Sequence, residues 1–293
     1  MGKVKAEALS PPATAKKCRP AKAKSVKKCD AAPAAKTSGK TAKPSGKTAK
    51  PRKPRSRKGE EPFPEFRAPS SEAAFSAALL LAECHGDREP GPPRPILDLL
   101  VRTILSQNTT DKTSQVAFDR LKEGLPTWAA VLDARDGVAE DLVRCGGLAE
   151  IKMARIRDIL RDPRVFNDND PSLEWLRASG DADVKATLSS FPGVGPKTVS
   201  CVMLFAMGRA IFPVDTHVLH IAKRLRWLPD AATREQAYEH LDRRVPNDIK
   251  YALHCLLVEH GKCCPACAKG GRLSKRVCAL TGPCPLLGIH RDS

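Results

Sequence analysis

Apolar residues recur at helical spacing through most of the chain from about residue 72 onward. The most apolar segment, "PILDLLVRTILSQ" at 95–107, carries apolar side chains on nearly every face, which is typical of a helix that is buried on most sides. No stretch with a period of two and hairpin turn chemistry competes with this pattern. We therefore expect an all-α body in which the helix at 95–107 is central.

Short breaks rich in Gly, Pro or Asp separate the other helical segments, as in "CGG" at 145–147 and "VPND" at 245–248. Such breaks end helices because they remove backbone hydrogen bonds or favour other conformations. The pattern predicts perhaps ten helices and no internal repeat. Besides the central helix, the predicted segments include 112–122, 127–134, 138–144, 149–161, 182–190, 197–208, 216–226, 232–244 and 247–259.

Basic residues are concentrated at the N-terminus. Residues 1–60 hold 19 of the 50 Lys and Arg residues but only three of the 33 acidic ones, in a background of Ala, Pro, Ser and Thr. So few apolar side chains do not offset the entropy lost on ordering the backbone, and we expect a disordered basic tail. Its Lys- and Arg-rich clusters are typical of nuclear import signals and of salt-sensitive attraction to phosphates. A plastid or mitochondrial address and a merely solubilising tail stay open.

The body, residues 61–293, is almost neutral, and an apolar content of 41% for the whole chain suffices for a sizeable core. No apolar run approaches the roughly 20 residues that span a bilayer, and the N-terminus lacks an apolar secretory segment. We expect a soluble intracellular protein, monomeric and without a membrane partner.

The stretch "FPGVGPKTVS" at 191–200 predicts a helix, a tight hairpin and a second helix. Gly193 and Gly195 permit backbone conformations that other residues resist, and Pro196 suits the first position of the second helix. Unpaired amides at a helix start, supported by the helix dipole, form a site for an anion such as a phosphate. An ordinary loop between packed helices is the alternative interpretation.

Two further residues bring candidate chemistry to this hairpin. Lys197 falls in the first turn of the second helix, where the dipole and partial burial both favour the neutral amine, which is a nucleophile. Asp215 lies 18 residues further on, in "FPVDTHVLHIAKRL", at a position where its carboxylate could cap a helix.

Together, "FPGVGPKT" and "FPVDTHVLHIAKRL" resemble the helix-hairpin-helix (HhH-GPD) DNA glycosylase superfamily, endonuclease III type. "ILSQNTTDKTS" at 104–114 and "GGLAEIKMARI" at 146–156 resemble other family segments, and the resemblance covers roughly residues 72–262. "AIFPVDTHVLHIAKRLRWLP" is also similar to the longer plant glycosylases of the DEMETER type. The resemblance implies a two-lobed all-α fold: a helical barrel lobe at 95–211 with the hairpin at 182–208, a second lobe at 65–94 plus 212–262, and a Cys-rich C-terminal loop at 263–293.

The resemblance also implies a function: a base excision repair glycosylase with AP lyase activity on double-stranded DNA. The damaged or modified base would leave the stack, Lys197 would attack the sugar and form a Schiff base, and Asp215 would stabilise the positive charge. DNA contacts would come from the hairpin amides, from a side chain inserted into the gap left by the base, and from a backbone contact. The hairpin amides would be those of Gly193, Val194 and Gly195. The inserted side chain would be Gln107 or Asn108, although either could instead cap the end of the central helix. The backbone contact would come from His217.

Two alternatives stay open. A non-catalytic helix-hairpin-helix protein would also bind DNA, although it would not need Lys197 and Asp215. Within the enzyme class, the substrate is open between oxidised pyrimidines and 5-methylcytosine or mismatched bases. His220, His240 and His254 are expected to be packed or surface residues, and the three tryptophans, Trp128, Trp175 and Trp227, to pack in the core or between lobes.

Five of the eleven cysteines lie between residues 263 and 284, and such crowding is typical of metal ligands. Members of the glycosylase family that the chain resembles commonly bind a [4Fe-4S] cluster through four cysteines with the spacing C-x6-C-x2-C-x5-C. Here Cys264, Cys267, Cys278 and Cys284 are separated by two, ten and five residues, and Cys263 could replace Cys264. This spacing is atypical, so a [4Fe-4S] cluster, zinc and no metal all stay open. The chemistry itself requires no cofactor.

Overall fold

The computed structural model describes residues 61–166, 170–268 and 283–291 of the chain. The predicted basic tail at 1–60 lies outside the described residues, as does Cys278. The tail's disorder and its nuclear address therefore stay predictions.

The described residues form helices and no strands, which confirms the predicted all-α class. They contain eleven α-helices, where the pattern predicted about ten, and none of these is long and apolar enough to cross a membrane. The helices are α1 (Ser71–His85), α2 (Ile96–Leu105), α3 (Asp111–Gly124), α4 (Trp128–Asp133), α5 (Val138–Val143), α6 (Ala149–Leu160), α7 (Asp181–Ser190), α8 (Pro196–Phe205), α9 (Thr216–Arg224), α10 (Arg234–Arg244) and α11 (Lys250–Cys263). Short 3-10 helices lie at Arg144–Gly146, Glu174–Ala178, Asn247–Ile249 and Pro285–Arg291.

Two hydrophobic cores form in the described part of the chain. Buried residues from Ile96 to Ile211 make the first core, in which α2 packs against α8 and α3. The second core takes its residues from α1, from Phe212 to α11, and from the segment around Cys284. The chain passes from one core to the other at Ile211 and Phe212, just before Asp215.

The central helix α2 is buried as its sequence predicts, with seven of its ten residues in the core. Its ends are fixed by residues distant in sequence. The Ile96 amide donates to Glu174 Oε1 over 2.7 Å, since Pro95 offers no side-chain cap. At the other end, the fully buried Lys152 donates to the carbonyl oxygens of Leu105 and Gly146 at 2.8 and 2.9 Å. These bonds hold the turn after α2 beside the start of α6.

Candidate active site

The hairpin between α7 and α8 exposes Gly193 and Gly195 and buries Val194 between them. Gly193 has φ +74°, in the left-handed region that favours glycine. Gly195 has φ −101°, so the expectation that it too needs an unusual conformation is wrong. A Cβ on Gly195 would meet nothing within 4 Å, so its glycine leaves open space above the main chain.

The amide of Val194 is not available to a phosphate, contrary to the prediction. It donates to the Phe191 carbonyl over 3.2 Å, and the Val194 side chain packs in the first core. The amides of Gly193 and Gly195 make no hydrogen bond to the described residues. The first turn of α8 also lacks a side-chain cap, because its N-cap residue is Gly195. The unpaired donors of the hairpin are thus the two glycine amides and the start of α8.

Lys197 lies between two cavities. The first, of about 490 Å³, is lined by residues 90–94, α2, α8 and Tyr251 of α11. The second, of about 390 Å³, is a groove lined by the hairpin, by Asp215 and by the first residues of α10. Lys197 is the one described residue that lines both. The half-buried lysine therefore borders both the first cavity and the groove that carries the hairpin amides.

The charge state of Lys197 differs from the sequence prediction of a neutral amine. Burial acts to lower the pKa of Lys197, but Cys201, Asp215 and Asp111 outweigh it, and the pKa is raised above its usual value. Cys201 makes the largest of the raising contributions, and the carboxylates of Asp215 and Asp111 make smaller ones. Lys197 must therefore lose a proton before it can act as a nucleophile.

Asp215 is the N-cap of α9, as the sequence predicts. Its Oδ1 accepts hydrogen bonds from the amides of His217 and Val218, both at 2.8 Å. Both bonds use one oxygen, so they leave Oδ2 out of the cap. The carboxylate lines the same groove as Lys197 and acts on its pKa through space.

The segment that carries Asp215 is held by buried side chains of the second core. Lys250 donates to the Ala210 carbonyl at 2.9 Å and to Asp242 Oδ1 at 3.1 Å, and the same Asp242 oxygen accepts from the Phe212 amide at 2.6 Å. His254 donates from Nδ1 to the Pro213 carbonyl at 2.9 Å. Burial lowers the pKa of His254 to about 4, so it is neutral near pH 7. The expectation that His254 is a packed residue is confirmed.

The family model of the HhH-GPD superfamily, base excision DNA repair proteins, matches residues 101–247, which is half of the chain. The chain belongs to this superfamily. The predicted resemblance is therefore confirmed.

Curated relatives include a putative DNA glycosylase of Arabidopsis thaliana, which is 46% identical over 196 residues. That match covers 67% of this chain and 66% of the relative, so the chain spans just under two thirds of that protein. Endonuclease III of Sulfolobus acidocaldarius is 31% identical over 59% of this chain and 75% of its own length. The transcriptional activator DEMETER of A. thaliana is 30% identical over 54% of this chain, but that match covers only 9% of DEMETER.

Among solved structures, a non-covalent endonuclease III–DNA complex superposes with a TM-score of 0.58 at 22% identity, over 75% of this chain and 94% of that one. At this identity the likeness shows a shared fold.

Gln107 and Asn108, the two candidates for the side chain inserted into the gap left by the base, have different surroundings. Gln107 donates to the Gly193 carbonyl at 3.0 Å, and its Oε1 lies 3.4 Å from Nη1 of Arg155. Gln107 thus braces the hairpin. Asn108 is exposed in a left-handed conformation, with φ +56°, which points to Asn108 as the residue at the apex of the turn. The insertion of either side chain into DNA stays a prediction.

His217 packs against α11. A Cβ on Gly261 would lie 2.9 Å from His217 Nδ1, and this nitrogen is buried without a hydrogen-bond partner among the described residues. Its predicted contact with a DNA phosphate stays a prediction, and the structure adds a packing role between α9 and α11.

Three residues near the site were not singled out from the sequence. Arg155 lies over Gly193, so a Cβ there would approach its Cδ to 2.7 Å. Arg102 lines the first cavity with a buried Nε that has no partner in the described structure. Leu148 is half-exposed at 51%, with the unfavourable φ of +54° for a bulky residue, on the turn that Lys152 holds beside α2. The turn glycines before Leu148 were the signal available in the sequence.

The C-terminal cysteines gather with a histidine. His260, Cys264, Cys267 and Cys284 are all buried, and their ligand atoms lie within 4.8 Å of one another, so they could hold a metal ion. His260 was missed from the sequence because it lies inside α11. Cys263 does not join this group; its thiol donates to the His260 carbonyl, 3.8 Å away.

Proposed function

We propose that this protein is a bifunctional DNA N-glycosylase and AP lyase that acts through a Schiff base on Lys197. One observation carries the proposal: Lys197 lines both a cavity of about 490 Å³ and the hairpin groove, and the Asp215 carboxylate lies in the same groove. In a nucleotide, the sugar carbon C1′ lies between the base and the phosphate backbone. A base in the cavity and a phosphate at the hairpin would bring C1′ to the amine.

The hairpin supports the phosphate contact. The amides of Gly193 and Gly195 make no hydrogen bond to the described residues, and the uncapped start of α8 adds its dipole. Arg155 lies beside Gly193 and adds a positive charge. Backbone contacts of this kind position DNA without reading its sequence.

The reaction begins with proton loss, because the pKa of Lys197 is raised in the free protein. We assign the proton to Asp215, whose Oδ2 is not used in the helix cap. The amine nitrogen then bonds to C1′ as the bond from C1′ to the base breaks, and the departing base takes up the proton that Asp215 received. The ring oxygen O4′ then leaves C1′ and takes up a proton from the attached nitrogen, whose lone pair forms the C1′=N bond of the protonated Schiff base. Loss of a C2′ proton then expels the phosphate on the 3′ side and breaks the strand.

The cavity beside α2 and α8 supports a pyrimidine with carbonyl oxygens on its exposed edge. Arg102 and Arg94 both line it, and a guanidinium group can donate hydrogen bonds to such oxygens. A hydrogen bond from a charged donor contributes about 1.5–3 kcal/mol. Oxidised pyrimidines such as thymine glycol carry these carbonyl oxygens.

The likeness to DEMETER keeps 5-methylcytosine or a mismatched base as the second candidate, since that relative is 30% identical over half of this chain. The two candidate substrates predict different excision rates. If oxidised pyrimidines are the substrate, thymine glycol and 5-hydroxycytosine should be excised faster than 5-methylcytosine, and if 5-methylcytosine is the substrate, the order should be reversed.

Borohydride trapping tests the proposal. Duplexes that hold thymine glycol, 5-hydroxycytosine, 5-methylcytosine or an abasic site are incubated with the protein and borohydride, which reduces a Schiff base to a stable adduct. We expect an adduct with the abasic duplex and at least one modified base, and none with Lys197→Gln. DNA binding by Lys197→Gln, measured in parallel, shows that the variant is folded. Binding without base release or adduct from the wild-type protein would support the non-catalytic alternative.

The cavity assignment has its own test. Arg102→Met should lower excision of the preferred oxidised base by about tenfold or more, since one hydrogen bond to a charged donor is removed. Cleavage of a plain abasic site, which has no base to bind, should change little.

A further inference from the structure

The four-residue cluster at the end of α11 is built from two segments that are close in space. His260 is in the last turn of α11, Cys264 and Cys267 follow that helix directly, and Cys284 precedes the 3-10 helix Pro285–Arg291. The Cys267 and Cys284 sulfurs are 3.6 Å apart, and His260 Nε2 is 3.3 Å from the Cys284 sulfur. Neither sulfur is in a disulfide. The donors therefore face one common point.

The size of the cluster decides which metal centre it fits. A tetrahedral zinc ion with Zn–S bonds of about 2.3 Å places its ligand atoms about 3.8 Å apart. Each thiolate of a [4Fe-4S] cluster binds a different iron, so the four ligand atoms must stand about 6 Å apart. All four donors here lie within 4.8 Å of one another. This arrangement fits a single ion and does not fit the four-iron cluster.

The donor types agree with the size. Three thiolates and one imidazole make a common structural zinc set, and two cysteines separated by two residues are the usual half-site. The turn that carries them is hydrogen bonded: the amides of Cys267 and Ala268 donate to the Cys264 carbonyl at 3.1 and 2.8 Å. This turn presents both sulfurs on the side of His260 and Cys284.

A second histidine orients the first. His260 Nδ1 lies 3.0 Å from Nε2 of His85, in the last turn of α1. A hydrogen bond there fixes the His260 ring so that Nε2 points at the cysteines. Metal-binding histidines are regularly held this way through their other nitrogen.

We propose that His260, Cys264, Cys267 and Cys284 bind one structural Zn²⁺, oriented by His85. The ion links α1, the end of α11 and the C-terminal segment in the second core. It takes no part in the reaction, and this inference does not rest on the proposed function. The site uses neither Cys263 nor Cys278, whereas a [4Fe-4S] cluster on the predicted four thiolates would need Cys278.

Metal analysis of the full-length chain tests this inference. The protein is produced in medium that contains both iron and zinc and is purified without oxygen. We expect one zinc per chain, no acid-labile sulfide and no visible iron–sulfur absorption. Cys278→Ser and Cys263→Ser should keep the zinc, and Cys284→Ser should lose it. Iron with sulfide, loss of metal from Cys278→Ser, or a wild-type protein without bound metal would each overturn the proposal.

Cobalt substitution covers the case in which Cys284→Ser fails to fold. Co²⁺ replacing zinc in the wild-type chain should give the strong visible bands of a tetrahedral thiolate site. His260→Cys keeps four ligands and should shift these bands, because a fourth thiolate replaces the imidazole. Identical spectra for the two proteins would remove His260 from the ligand set.

Discussion

The carboxylate of Asp215 has two separable tasks, since Oδ1 caps α9 and Oδ2 lies outside the cap. Asn is as good an N-cap as Asp but carries no charge. Asp215→Asn should therefore keep the fold, lower base excision at least about 100-fold and leave DNA binding intact. Single-turnover excision measures the loss of rate, and thermal unfolding checks that the fold is kept. A wild-type rate in this variant would remove Asp215 from the chemistry.

The two hairpin glycines allow a matched comparison. Gly193→Ala places a Cβ at φ +74° and 2.7 Å from Arg155 Cδ. It should cost about 1–2 kcal/mol of unfolding free energy. Gly195→Ala has an ordinary φ and open space, so its cost should stay below about 0.5 kcal/mol.

DNA affinity should respond to Gly195→Ala although its stability does not. The added methyl of Gly195→Ala would project into the groove and hold a phosphate away from the amides, so binding should weaken several-fold in a protein of wild-type stability. Equal affinity for Gly195→Ala and wild type would mean that the phosphate does not approach this face of the hairpin.

The residues proposed to be catalytic could be located in the sequence because their motifs are local. Lys197 is two residues from Gly195, and Asp215 caps its own helix. The charge of Lys197 could not be predicted from the hairpin motif, because the raised pKa depends on Cys201, one turn further along α8, and also on Asp215 and Asp111 from other segments. Trp175 shows the same limit: it was expected to be packed, but it is 47% exposed and donates to the Arg164 carbonyl.

At the scale of elements, the periodicity of apolar residues located the helices well, including the buried α2. It could not show what fixes their ends. The cap of α2 by Glu174 joins residues 78 positions apart, and the Lys152 bonds join α6 to the end of α2. Such contacts depend on the folded chain and leave no local pattern.

The loop before α9 gives a pH prediction. His254 supports this loop as a neutral donor to Pro213, and its pKa is about 4 in the folded protein against 6.5 for the free side chain. Between these values the unfolded chain binds more protons, so this group's contribution to stability falls as pH falls from about 6.5 to 4. The loss at pH 4 should be about 3 kcal/mol.

His254→Asn isolates this contribution, because Asn can still donate to the carbonyl but does not titrate. Denaturant unfolding of both proteins at pH 8 gives the cost of the substitution alone. On going to pH 4, the variant should lose about 3 kcal/mol less than wild type. Parallel losses in the two proteins would show that His254 is not the group that titrates.

At the scale of the whole molecule, the candidate site lies where the two cores meet. Asp215 follows the passage of the chain from the first core to the second, and Lys197 extends from the first. An ion pair of 2.5 Å between Asp111 of α3 and Lys262 of α11 joins the two sides near Lys197. The spacing of motifs located Lys197 and Asp215, the proposed catalytic pair, but only the packed cores bring the two residues to one groove.

The uneven charge of the chain leads to the last prediction. Residues 1–60 carry nearly all of the excess positive charge, whereas residues 61–293 hold 31 basic and 30 acidic residues. Each tail charge that neutralises a phosphate releases a counterion, so deletion of residues 1–60 should weaken nonspecific DNA binding at low salt and flatten its salt dependence. Excision at saturating enzyme should remain near wild type, since the hairpin, Lys197 and Asp215 all lie in the body. Titrations of an undamaged duplex at several salt concentrations measure the first effect, and single-turnover rates measure the second. A collapse of the saturated rate would mean that the tail acts in the chemical step as well as in the encounter with DNA.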